Sequence, residues 1–200
     1  MKIGIYIGAI NKFEGGGFTF QESTINALLK TNSHHQYFIF FYRRNQENID
    51  LPQVKENFRF IELKPTSKFN NTLNKIKKLR NPLVFINTPL QIAVEEHHID
   101  LVWFEEVEIP YIYTIWDLQH RLQPYFPEVS KGSVWEHREK AYQKVIKKAS
   151  YILTGTQRGK EEICTFYDVF PERIRLLPHP TPEFVFQEHK TDIDIVEKYG

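Results

Sequence analysis

The sequence predicts an α/β protein built on a Rossmann-like, doubly wound parallel sheet with helices on both faces. Three observations predict it. Short apolar runs recur along the 200 residues at intervals long enough to hold a crossover helix. Several of the intervening segments carry apolar residues at helical spacing. One run, Tyr37 to Tyr42, is apolar on consecutive positions, as a strand covered on both faces must be.

Taken in order, Ile3, Ile5 and Ile7 form a run closed by Gly8, the first strand. A loop containing Gly15, Gly16 and Gly17 follows. Thr19 and Glu22 have the Ser/Thr-x-x-Glu spacing of a capping box, and Ile25, Leu28 and Leu29 continue an apolar helix face. Tyr37–Tyr42 is the second strand and Phe58–Leu63 the third. From Ser67 to about His98 the pattern is helical, with a basic turn at Lys75, Lys77, Lys78 and Arg80 and a break at Asn81-Pro82. Asp100–Phe104 and Ile109–Ile115 are strands. Ser133 and Glu136 repeat the capping-box spacing and open a helix to about Ala149. Tyr151–Thr154 is a strand, Thr156–Asp168 a helix, and Ile174–Leu177 a last strand stopped by Pro178, Pro180 and Pro182. Residues 1–180 read as one domain. The polar tail 181–200 reads as a linker with a short helix over Ile193 to Tyr199. Ligands of such sheets bind outside the carboxyl ends of the strands. That rule puts the glycine loop and the segment after Ile115 on one rim.

Composition narrows the function classes. Lys plus Arg total 26 against 25 for Asp plus Glu, a net charge of +1. That balance lacks the basic excess of nucleic-acid-binding domains, so no nucleic acid partner is expected. Cys164 is the single cysteine, so no internal disulfide forms; among Ile163, Phe166 and Tyr167 it reads as a buried structural thiol. The N-terminus lacks a signal-peptide pattern, and no run approaches the roughly 18 apolar residues of a membrane span, so a cytoplasmic location is expected. The pairs His34-His35 and His97-His98 send their rings in different directions, and no metal site is expected there.

The first strand with its glycine loop, the stretch Thr114-Ile-Trp-Asp-Leu-Gln-His-Arg121, and the block Thr154–Pro180 stand in a telling order and spacing. The block includes Ile152-Leu-Thr-Gly-Thr-Gln-Arg-Gly-Lys160 and Arg173-Ile-Arg-Leu-Leu-Pro178. Together they resemble the N-terminal domain of family 4 glycosyltransferases, retaining enzymes of the GT-B type, over about residues 1 to 180. The resemblance implies transfer of a sugar from a nucleotide-diphosphate donor with retention, to an acceptor glycan or lipid-linked acceptor held on this domain. It implies that the donor is held by a C-terminal domain, with a Glu-x7-Glu element, lying beyond Gly200 in a longer chain or on a partner polypeptide. No cofactor and no metal are expected; the sugar nucleotide enters as a substrate. The sequence departs from the family where Trp116 stands in place of the His that usually precedes Asp117.

Each candidate site residue has a structural alternative. Gly15, Gly16 and Gly17 would let backbone N–H groups approach a diphosphate at a helix N-terminus, or form a permissive turn. Asp117 is the candidate catalytic carboxylate, accepting ligand hydroxyls or orienting a base, or it caps a turn. Trp116 cannot accept a proton but can stack on a sugar face. His120 is the nearest group that could take over the missing His role. Arg121 could clamp a phosphate or form a salt bridge. Thr156 caps the following helix and, with Lys160, could face a bound substrate. His179 sits between two prolines and is a weaker candidate. The basic turn at Lys75 to Arg80 could make a peripheral membrane contact or form a solvated helix face.

Two rivals remain. One is a non-catalytic module that binds a glycan or lipid-linked acceptor. The other is a nicotinamide-dependent reductase, against which stand the missing G-x-G-x-x-G fingerprint and Arg43-Arg44, where an acidic residue would close the second strand.

Overall fold

The computed structural model describes residues 1–9, 16–42, 55–65, 88–181 and 185. Strand β1 (Lys2–Ala9), helix α1 (Gly16–Lys30), β2 (Gln36–Tyr42) and β3 (Phe58–Glu62) form the first half. Helix α2 (Pro89–Glu96) leads to β4 (Leu101–Trp103) and β5 (Tyr111–Thr114). The short helices α3 (Gln119–Leu122) and α4 (Pro127–Ser130) then precede α5 (Val134–Lys148), β6 (Tyr151–Thr154), α6 (Gln157–Tyr167) and β7 (Ile174–Leu176). All seven strands pair in parallel, in the order β3-β2-β1-β4-β5-β6-β7. The doubly wound α/β fold expected from the sequence is the observed one.

Alternation along the strands divides the core in two. On one face Ile5, Ile39, Tyr37 and Phe58 pack beneath Ile25 of α1. On the other, Phe38, Phe40, Val102, Tyr111 and Ile152 pack beneath residues of α2, α5 and α6, among them Val94, Ile146 and Ile163. β2 is buried at five consecutive positions, Tyr37 to Phe41, because helices cover both of its faces. Gly4 of β1 faces Phe40, and a Cβ there would come within 2.9 Å of that ring.

The helix ends show which local signals acted. Thr88 caps α2 by accepting the Gln91 N–H, with Pro89 in the first turn. Thr156 caps α6 in the same way, accepting from Gly159 N–H at 2.9 Å. Asp168 ends α6 in the left-handed conformation at φ 52. Two capping-box expectations are corrected. α1 begins at Gly16, so Thr19 lies within the helix instead of capping it. Docking of Phe20, Ile25 and Leu28 carries the helix back over two poor helix formers, tertiary packing overriding propensity. Ser133 does precede α5, but its backbone is left-handed at φ 63 and its side chain makes no cap bond.

Of the helix predicted from Ser67 to His98, Pro89–Glu96 is observed. The basic turn at Lys75 to Arg80, Asn81-Pro82, Arg43-Arg44 and the tail with its helix at Ile193–Tyr199 lie outside the described residues. Among the described residues no helix is long and apolar enough to cross a membrane.

Candidate functional site

The carboxyl ends of β5 and β6 open into a cleft of about 230 Å³ lined by Trp116, Asp117, Gln119, Leu122, Thr156 and Gly159, among others. It lies where a parallel sheet presents ligands, and it brings together three of the residues singled out from sequence. The first turn of α6 forms one wall. A Cβ on Gly159 would meet Thr154 Oγ1 at 2.7 Å and Thr156 Oγ1 at 3.3 Å, so glycine is what lets that turn close down on the end of β6.

Asp117 makes the turn its sequence position suggested. Its Oδ1 accepts the Gln119 N–H at 2.9 Å and a guanidinium N–H of Arg138, from α5, also at 2.9 Å. Its Oδ2 has no partner among the described residues, and the side chain is 41% exposed. Trp116 packs edge-to-face on Phe20 of α1, with centroids 4.3 Å apart, and against His179 at 5.2 Å. Phe104 lies nearly parallel to it at 6.5 Å and also meets Phe20 edge to face at 6.3 Å. Thus α1, the ends of β4 and β5, and the segment after β7 share one aromatic cluster.

His120 does not line this cleft. It is fully buried on α3, with Nε2 3.3 Å from Glu139 Oε2 on α5. Burial pulls its pKa below the ordinary histidine value, so the ring is neutral. Facing a carboxylate oxygen, Nε2 is the nitrogen that carries the proton. Nδ1 is then a bare acceptor, without a partner among the described residues.

Arg121 grips the same carboxylate with two donors, Nε to Oε2 at 2.7 Å and a terminal nitrogen to Oε1. It also lies over the rings of Phe166 and Tyr167. Tyr167 donates to Oε2 at 3.0 Å and Gln143 to Oε1 at 2.7 Å. The Arg121 bonds, assisted by those from Gln143 and Tyr167, hold the Glu139 carboxyl down at a pKa of about 2. Arg121 therefore takes the ion-pair alternative, as the link between α3 and α5.

Lys160 donates to the Ile174 carbonyl of β7 at 3.3 Å. Gly16 and Gly17 form the first turn of α1, and Gly15 lies outside the described residues. Cys164 is partly buried against the core. Among the described residues no group of three or more His, Cys, Asp or Glu is placed to hold a metal ion.

Sequence reasoning missed Phe20, Phe104, Arg138 and Glu139. A signal existed for Phe104, which ends an apolar run at the rim. What makes Arg138 and Glu139 matter to the site is contact with Asp117 and Arg121, 21 and 18 residues away, which nothing local marks.

This fold and rim define the class: a Rossmann-type α/β domain on a doubly wound parallel sheet. It is similar to sucrose-phosphate synthase from Thermosynechococcus elongatus, with a TM-score of 0.52 and 11% identity, over 88% of this chain and 47% of that one. A glycosyltransferase from Rickettsia africae ESF-5 aligns over 92% of this chain and 48% of its own, at 12% identity and a TM-score of 0.39. The chain spans about half the length of each of these proteins. No protein-family model and no curated protein matches the sequence.

Proposed function

We propose that the chain is the acceptor-side, N-terminal part of a family 4-like retaining glycosyltransferase. A donor-binding domain, on a longer chain or a partner polypeptide, completes it, and it works in the cytoplasm on an acceptor glycan or lipid-linked acceptor. The observation that carries this reading is the cleft that joins Trp116, Asp117 and Thr156 at the carboxyl rim of a GT-B-like sheet. Trp116 offers an indole to a sugar face. Asp117, oriented by Arg138 and the Gln119 N–H, offers Oδ2 to a hydroxyl. Gly16 and Gly17 form the first turn of α1, where the helix dipole favours the donor's diphosphate.

In the reaction the acceptor oxygen bonds to the anomeric carbon on the face that the nucleotide diphosphate leaves, and the departing phosphate takes the acceptor's proton. Glu139 acts at one remove: through Arg121 and His120 it fixes α3, which follows the Trp116-Asp117 turn.

The test is turnover of UDP- and GDP-sugars by the chain alone and together with a completing domain. Transfer is expected only with that domain, and Trp116→Ala and Asp117→Asn are each expected to lower kcat/KM at least tenfold. Transfer by the 200-residue chain alone overturns the divided site. Glycan binding without transfer in the completed protein favours a non-catalytic module, a reading suited by Trp116 standing where the family resembled usually has a His.

A further inference from the structure

β7 ends at Leu176, yet the chain beyond it stays against the carboxyl rim of the sheet, because the Leu177 N–H donates to the Thr154 carbonyl of β6 at 2.9 Å. His179 follows, between Pro178 and Pro180. Each proline ring fixes its own φ, and Pro180 also keeps the residue before it out of the helical region. His179 therefore sits on a short, stiff segment tied to the rim.

Its ring is held in place by packing. The imidazole lies 5.2 Å from the Trp116 indole at a tilt of 31°, and 5.3 Å from the Phe20 ring, near edge to face. A Cβ on Gly155 would come within 3.3 Å of His179 Cδ2 and 3.7 Å of Nε2. Glycine at 155 thus leaves the imidazole room against the turn that joins Thr154 to Thr156, two residues of the cleft wall. The residue is nevertheless exposed, and neither ring nitrogen has a hydrogen-bond partner among the described residues. Packing orients this ring without consuming its hydrogen-bonding capacity.

The cleft beside it calls for a hydrogen-bond donor. Asp117 Oδ2 has no partner among the described residues, and Gln119 Oε1, from another residue of the wall, is buried without one. A buried acceptor left unpaired carries a desolvation cost that a donating ligand relieves. The arginines of this region are already engaged: Arg138 bonds Asp117 and Arg158 bonds Glu162, each at 2.9 Å. An ionised phosphate brought here would meet the carboxylates of Asp117 and Glu162 and would offer them no donor. A sugar hydroxyl both donates and accepts. A neutral imidazole matches it with one N–H and one bare nitrogen.

We propose that His179 is a further ligand-binding residue of this cleft, its imidazole hydrogen-bonding a hydroxyl of an uncharged sugar that Asp117 also holds. The choice of a sugar rests on the glycosyltransferase reading; the preference for an uncharged, hydroxylated ligand comes from the acceptors and carboxylates of the wall.

The experiment is a ligand-observed NMR titration of the 200-residue chain. The probes are the methyl glycosides of glucose, galactose, mannose and N-acetylglucosamine, with inorganic pyrophosphate as the anion. His179→Phe keeps a flat ring for Trp116 and Phe20 and removes both nitrogens, whereas His179→Gln discards the ring and keeps a donor and an acceptor. At least one glycoside is expected to bind saturably, about fivefold or more weakly in His179→Phe and within about twofold of the unsubstituted chain in His179→Gln. The imidazole nitrogen resonances of His179, assigned by their loss in His179→Phe, are expected to shift on saturation. They keep the test decisive if His179→Gln folds poorly. No saturable glycoside binding, unshifted resonances, binding unchanged in His179→Phe, or equal weakening in both variants overturns the proposal. Pyrophosphate binding that His179→Phe abolishes, with no glycoside bound, overturns the assignment to an uncharged sugar. Transfer by the completed enzyme with an acceptor KM indifferent to His179→Phe sinks this role and leaves the glycosyltransferase reading standing. Glycoside binding that depends on the His179 nitrogens, without any sugar-nucleotide turnover, does the reverse.

Discussion

Glu139 shows how one side chain can carry the geometry of a rim it does not touch. Its carboxylate, 7% exposed, takes bonds from Arg121, Tyr167 and Gln143 and faces His120, tying α3, α5 and α6 together. Removing a buried partner strands the others. Glu139→Ala is therefore expected to lower the unfolding free energy by about 2–4 kcal/mol, measured by urea denaturation. The pH dependence follows from the same cluster. Burial depresses the pKa of His120, so below the ordinary value of 6.5 the unfolded chain binds a proton that the folded chain refuses. Glu139 is depressed from 4.5 to about 2 by its Arg121 bonds; its contribution is complete above 4.5 and is lost as the pH falls toward 2. Stability is expected to decline below about pH 6.5 and again between 4.5 and 2. Urea midpoints measured across that range should show both steps, and Glu139→Ala should flatten the lower one. Asp117 and Thr156 were legible in the sequence because an Asx turn and an N-cap are made within three residues. Glu139 was not, because Arg121, His120 and Tyr167 come from elements that only the fold brings to it.

Among the elements, α6 has both of its ends where the sequence put them, between Thr156 and Asp168. Thr156 accepts the Gly159 N–H, and Thr156→Ala is expected to cost about 1 kcal/mol in thermal or urea unfolding. At the other end, exposed Asp168 holds φ 52, a conformation that costs a side-chain-bearing residue about 1–2 kcal/mol. Asp168→Gly is therefore expected to raise the melting temperature; a drop would show that the aspartate side chain contributes more than the strain it bears. α1 was misjudged by one turn because capping-box spacing is a local signal, and the packing of Phe20 against Trp116 and Phe104 outweighs it. Phe104 was read as the last residue of a regular strand. Nothing in Trp103-Phe104-Glu105 announces a left-handed phenylalanine, since the stacking that sustains it involves Trp116, twelve residues further on.

Across the whole molecule the sheet sets the stability gradient. Ile5, Ile39, Val102 and Ile152 lie in interior strands and are fully buried, whereas β3 and β7 are the edges of the described sheet. Backbone amides of β1, β2, β4 and β6 are expected to exchange hydrogen most slowly, and those of β3 and β7 at least tenfold faster, by peptide-level exchange mass spectrometry. Equal protection across all seven strands would contradict a stability gradient centred on the β1–β4 junction.

The amino-acid order alone determined the α/β class, the succession of strands and both ends of α5 and α6, and it located the rim residues Trp116, Asp117 and Thr156. Those features rest on apolar period and on bonds that reach three or four residues, so they are written in short windows of sequence. The fold decided the rest: that His120 is sealed beneath the rim, that Arg121 serves Glu139, and that Phe104 takes a left-handed backbone and stacks on Trp103. These depend on which distant strands and helices become neighbours, and no short window holds that information.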